Sequence, residues 1–238
     1  MQSEHDPRER EGEATLSSQP VAIVGAGPGL GLAVARRFGR EGADVALIAR
    51  TPAKLDRLAA ELARDQVAAA GFPADIGEPD QLTTALAAAR ERFGDPGVLV
   101  FNPSVTVEGK PSEVAHDDLV QAFRVGVASL LVAVKAVLPA MRSAGQGTVL
   151  VTGSGLALRP FPPMAAIAVA KAGVRSLALS LAAELAPVGI HVATVTIQGV
   201  MGRGTDFDPE VIAEEYWRLY QQPRDAWESE VRFTGGHR

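Results

Sequence analysis

From Pro20 onward, short apolar runs alternate with longer amphipathic stretches. The runs VAIVGA (21–26), DVALIA (44–49), VAAAGF (67–72), VLVF (98–101), TVLVTG (148–153) and HVATVTI (191–197) are apolar without alternation, which predicts fully buried strands. Helical periodicity fills the segments near 29–41, 52–64, 78–93, 112–142 and 164–187. Strand and helix in strict turn require right-handed crossovers. The expected fold class is therefore α/β, with one parallel sheet covered by helices on both faces. No internal repeat and no linker rich in Gly, Ser or Pro interrupts the pattern, so residues 20–238 are expected to form a single domain.

After Gly199 the pattern changes. VMGRGTDFDPE reads as a loop, and PEVIAEEYWRLYQQ as a helix with Pro209 near its start and Ile212, Tyr216, Leu219 and Tyr220 at helical spacing. Both tyrosines and both tryptophans of the chain fall between 216 and 227. Two readings stay open. The helix packs its aromatic face on the core, or residues 200–228 form a lid, with Tyr216 and Tyr220 touching substrate.

Composition narrows the function classes. Hydrophobic residues make up 47% and charged residues 21%, ordinary for a soluble globular enzyme. A formal charge of −5 and the lack of any long basic run argue against nucleic acid as a partner. With no cysteine, disulfides, thiolate nucleophiles and Cys-ligated zinc are excluded. The four histidines (His5, His116, His191, His237) show no metal-ligand spacing, so no metal is expected. Residues 1–19 are polar and lack the apolar segment of a signal peptide, which predicts a disordered tail on a cytoplasmic protein. No uninterrupted apolar stretch is long enough to predict a membrane span.

The chemistry begins at the first strand, which runs straight into GAGPGLG and then a helix. Gly25, Gly29 and Gly31, with Gly27, Pro28 and Leu30 between them, have the makings of a Rossmann-type dinucleotide loop. Glycines let backbone approach a pyrophosphate closely, and the helix N-terminus offers free N–H groups and a positive dipole end. The cofactor is read at the end of the second strand, where an acidic residue suits a ribose 2′-hydroxyl and an arginine a 2′-phosphate. DVALIAR ends in Arg50, which predicts NADP(H) over NAD(H).

These glycines and five later landmarks resemble the short-chain dehydrogenase/reductase family over roughly residues 20–200. Asp75-Ile76 looks like the family's adenine-contacting pair. LVFNPS (99–104) is similar to the Asn-Asn-Ala-Gly stretch, with Asn102 kept and Pro103 beside it. KAVLPAM (135–141) looks like the end of the fourth helix. VTGSG (151–155) places Ser154 at the catalytic serine, and AKAGVRSLALSLAAELAPVGIHVATV places Lys171 at the active-site lysine. Gly199 and Val200 follow the sixth strand where the family contacts its cofactor. The resemblance implies a doubly wound sheet of about seven strands in the order 3-2-1-4-5-6-7.

In such enzymes a tyrosine four residues before the lysine moves the proton that accompanies hydride transfer. Counting thirteen on from Ser154 or four back from Lys171 gives Ile167 both times. Gly126 takes the place of the fourth-helix asparagine, and Gln198-Gly199 that of a usual Pro-Gly pair. The cofactor half of the pattern is intact and the proton-transfer half is altered. Three readings follow: an NADP(H)-dependent carbonyl or alcohol oxidoreductase with a non-standard proton donor; a non-redox enzyme of dehydration, cyclisation or isomerisation; or a catalytically silent NADP(H)-binding regulatory module. The loop after the sixth strand and its aromatic helix suit a small, hydrophobic or ring-bearing substrate. Apolar stretches such as VGVASLLVAVKAVL and VRSLALSLAAEL exceed what one buried helix face needs, which predicts a homodimer or homotetramer.

Overall fold

A computed structural model describes residues 19–235. The polar tail expected over residues 1–19 lies, apart from Gln19, outside the described residues. Seven strands make one sheet: β1 (Val21–Val24), β2 (Val45–Ala49), β3 (Ala69–Pro73), β4 (Val98–Phe101), β5 (Gly147–Ser154), β6 (Ile190–Ile197) and β7 (Glu230–Phe233). Their order is β3-β2-β1-β4-β5-β6-β7, and every pairing is parallel. The helices are α1 (Leu30–Gly39), α2 (Pro52–Arg64), α3 (Pro79–Phe93), α4 (His116–Phe123), α5 (Ser129–Ala144), α6 (Ala165–Leu185) and α7 (Pro209–Tyr220).

The continuous apolar strands arise because side chains leave the sheet on both faces and both faces are covered. Val21, Ile23, Val45 and Leu47 point into one core with Leu32, Phe38, Leu55 and Ile212, from α1, α2 and α7. Ala22, Val24, Leu99 and Phe101 point into the other with Leu82, Leu130, Val134 and Val174, from α3, α5 and α6. The expected doubly wound α/β fold is the observed one.

Three elements differ in detail from the expectation. β3 begins two residues later and is only half-buried, because it is the edge of the sheet with a neighbour on one side. The helix expected from 112 begins at His116 and is broken by a π-helical turn at Arg124–Ala128. The carbonyl of Val125 in that turn accepts the Ser129 hydroxyl. Such turns accumulate at functional positions.

The third concerns the helix for which two readings stood open: it packs on the core, and this takes the fully buried Tyr216 away from the role of substrate contact. Helix α7 packs across α1, not over the site. Trp217 and Tyr220 meet the Phe38 ring edge-on at 5.3 and 5.5 Å, and Arg37 lies over Trp217 at 4.3 Å. Arg36 and Arg37 of α1 also pair with Glu210 and Glu214 of α7. Tyr216 is 0% exposed. The apolar stripe 212-216-219 dictates this, since it needs a core to cover it and α1 supplies one.

Candidate active site

In a parallel sheet every strand ends at the same edge, and the loops leaving that edge meet at the point where the winding reverses. Here the reversal lies between β1 and β4. It brings together the glycine loop after β1, Arg50 after β2, Asp75 after β3, Asn102 after β4, Ser154 at the end of β5 and Gly199 after β6.

The glycine loop divides into tight and open positions. Gly25 has φ +86°, and a Cβ there would lie 2.6 Å from the Asn102 carbonyl carbon and the Pro103 nitrogen. A Cβ on Gly31 would lie 3.2 Å from the Ala26 Cα. Gly27 and Gly29 are different, because a Cβ on either would meet nothing within 4 Å. The first pair lets the chain turn and lets α1 start close against β4. The second leaves backbone bare toward open space. Gly29 caps α1 without a side chain, so the helix presents its first N–H groups uncapped. That combination fits a pyrophosphate. Leu30 contributes only backbone, since its side chain is buried under the sheet. A cleft of about 280 Å³ flanks the loop on its α7 side, lined by Pro28, Gly29, Arg36, Arg203 and Asp208.

Arg50 is exposed and pairs with no described carboxylate, so its guanidinium is available. The Asp75 carboxylate accepts the Gly77 N–H at 2.9 Å, which fixes the turn after β3, and Ile76 beside it is buried. Val200 is 89% exposed, and Gly199 lies against the Phe207 ring.

On the other side of the reversal, Lys171 Nζ donates to the carbonyl of Thr152 at 2.8 Å and to that of Pro103 at 3.4 Å. No described carboxylate pairs with it. Burial without a counter-ion lowers its pKa from 10.5 to about 8. Ile167, one helical turn earlier on α6, shares with Lys171, Gly126, Phe101, Pro103 and Val174 the wall of a cavity of about 10 Å³, which is close to the space for one water. Lys171 is the one ionisable group in that wall. Gly126 allows the π turn to approach α6, since a Cβ there would already lie 3.3 Å from Ala170. The Ser154 hydroxyl accepts the Leu156 N–H at 3.2 Å, leaving its own proton to donate outward.

Sequence reasoning missed Thr152. Its hydroxyl lies 2.8 Å from Asn102 Oδ1 and 2.6 Å from the Tyr216 hydroxyl, and Asn102 Nδ2 donates to the Gly25 carbonyl at 3.0 Å. Two residues before Ser154 and opposite Asn102 in the strand register, it had a legible position. The partner from α7 had none.

A family model described as short chain dehydrogenase matches residues 19–212. The chain belongs to the short-chain dehydrogenase/reductase family. Among curated relatives, 2-(S)-hydroxypropyl-CoM dehydrogenase 3 of Xanthobacter autotrophicus is 35% identical over 216 residues, 87% of this chain and 83% of the relative. A short-chain dehydrogenase structure from Rhodopseudomonas palustris aligns with TM-score 0.82 and 31% identity, over 91% of this chain and 98% of that one. A metagenomic short-chain oxidoreductase in complex with NADP aligns with TM-score 0.82 and 26% identity, over 92% and 98%. This family member is thus an oxidoreductase by kinship, with relatives of known structure that hold NADP.

Proposed function

We propose that this chain is an NADP(H)-dependent oxidoreductase for ketones and secondary alcohols, in which Lys171 holds the proton that the family's tyrosine would otherwise carry. The observation that carries this reading is the Lys171 ammonium between two carbonyls, one helical turn from Ile167. An ammonium has three donors, and Thr152 and Pro103 take two of them. After the third proton leaves, the neutral amine still satisfies both carbonyls. A group titrating near 8 exchanges its proton readily at neutral pH. The tyrosines offer no substitute, because Tyr216 is committed to Thr152 and burial pushes both hydroxyls toward the neutral form.

The residues present fit the dinucleotide. Gly27, Gly29 and the start of α1 would hold its pyrophosphate, and Arg50 its 2′-phosphate. When bound, it supplies the hydride. Ser154 then orients the substrate oxygen with its free hydroxyl proton, and Lys171 gives up a proton in reduction or receives one in oxidation. Exposed Phe161, Val200 and Met201, in the loops that leave β5 and β6 at this edge, support an apolar substituent on the substrate. The secondary alcohol named for the Xanthobacter relative supports the same class. We also assign a homo-oligomer to the chain, joined through α4, α5 and α6.

Absorbance of reduced nicotinamide over a ketone panel tests this. NADPH should be consumed, with a rate that falls as pH rises through about 8 because the acid is then deprotonated. Lys171→Met should lower kcat by roughly 10²–10⁴-fold, the usual contribution of a general acid. Ile167→Tyr should raise an activity already present. Activity that exists only in Ile167→Tyr would instead make the native protein a silent NADP(H)-binding module, the reading that the apolar wall around Lys171 would favour.

A further inference from the structure

Strand β1 pairs with β4 up to Val24 and Phe101, and β4 with β5 up to Phe101 and Val151. The next step of the register is therefore Gly25, Asn102 and Thr152, side by side across three strands. The β1–β4 and β4–β5 ladders end one step before it, with the Asn102 N–H still reaching the Val24 carbonyl at 2.8 Å. Side chains carry the hydrogen bonding onward: Asn102 Nδ2 reaches the Gly25 carbonyl and the Thr152 hydroxyl reaches Asn102 Oδ1.

The proton positions in this row follow from its chemistry. The Gly25 carbonyl only accepts, so the Asn102 amide must present Nδ2 to it and Oδ1 to Thr152. Oδ1 also only accepts, so the Thr152 hydroxyl donates. The Tyr216 hydroxyl, 2.6 Å away, must then donate to the lone pair that remains on Thr152. Tyr216 thus supplies the first proton of a one-way row that ends on the glycine loop. The main-chain carbonyl of the same Thr152 accepts Lys171 Nζ at 2.8 Å. One residue therefore ties together the two halves of the site.

We propose that Tyr216 is a positioning residue for the dinucleotide site: by pinning the Thr152 hydroxyl it holds the glycine loop and Lys171 in register. The proposal rests on the NADP(H) reading for its effect on binding, but its geometric content does not. Tyr216 reaches neither cofactor nor substrate. Its ring lies in the core beneath α7, so Tyr216→Phe keeps the packing and deletes one donor. The Thr152 lone pair then loses its partner in a buried place, which loosens its grip on Asn102.

Two readouts decide the matter. Amide hydrogen exchange over Gly25–Gly31 in the nucleotide-free protein should be faster in Tyr216→Phe and in Thr152→Val than in the wild type. Thr152→Ser, which restores the hydroxyl, should restore protection. NADPH affinity by fluorescence titration should fall about tenfold in each single variant, with the double variant no weaker than the worse single, as expected for one connected row. Wild-type exchange and wild-type NADPH affinity in Tyr216→Phe would overturn the proposal, as would additive losses in the double variant. If the wild-type protein bound no NADPH, the functional reading would fall, while exchange in the nucleotide-free protein would still decide whether Tyr216 orders the loop.

Discussion

The proposed preference for NADP(H) rests on a single side chain, Arg50. It directly follows β2, exposed and unpaired among the described residues. Its guanidinium gains a fully charged partner only when a 2′-phosphate is present, since a ribose hydroxyl offers no charge. A hydrogen bond to a charged group contributes about 1.5–3 kcal/mol, so Arg50→Ala should weaken NADPH by roughly tenfold to a hundredfold. NADH should change little. Equal losses for the two nucleotides in parallel titrations would remove NADP(H) as the cofactor. Ser154, Lys171 and Ile167 were as legible in the sequence as Arg50, because each stands at a fixed count from the others along the chain. Thr152 was not. Its place opposite Asn102 followed from strand register, but its role also depends on Tyr216, sixty-four residues away, which only the packing of α7 brings to it.

The elements of the fold follow the same division. Each strand that lies inside the sheet announced itself by an unbroken apolar run, while β3 at the edge kept the run but lost half its burial. Helix α7 announced its apolar stripe but not the surface that would cover it. Periodicity gives the face of a helix and says nothing of its neighbour, so lid and core packing looked alike in the sequence. The turn from β1 into α1 is the tightest element in the site. Gly25→Ala would place a methyl group 2.6 Å from the Asn102–Pro103 backbone just after β4, at φ +86°. Left-handed strain and overpacking each cost about 1–3 kcal/mol, so chemical denaturation should show a loss of a few kcal/mol together with loss of NADPH binding. Gly29→Ala, where the Cβ meets only open space, should keep stability near wild type and lose binding. If Gly25→Ala proved as stable as the wild type, the close approach of this turn to β4 would be wrong.

For the whole molecule, the remaining physical question is what covers α4, α5 and α6. Helix α4 with its continuation through α5, and α6 by itself, have the length and apolar content to cross a bilayer, yet here both lie along the sheet with one face in the core. Part of their outer surface stays apolar. Leu119, Val120, Phe123, Leu131 and Val169 are all exposed, with Phe123 at 47%. A Cβ built on Gly173 of α6 would lie 3.5 Å from the Phe123 ring, so the patch bridges the two helices. Apolar side chains grouped across two neighbouring helices mark an interface, whereas scattered ones do not. A second copy of the chain is the occupant proposed above, and a two-fold axis would set each Phe123 against the equivalent face of its partner. Light scattering should therefore give at least twice the chain mass of 24.9 kDa. Phe123→Asp should shift that mass to the monomer, because it would bury an unpaired carboxylate in the interface and leave it solvated in the free chain. The isolated fold should survive, since this position adds nothing to either core. A wild-type protein that scattered as a monomer at all accessible concentrations would end the assignment and leave this face to a different partner.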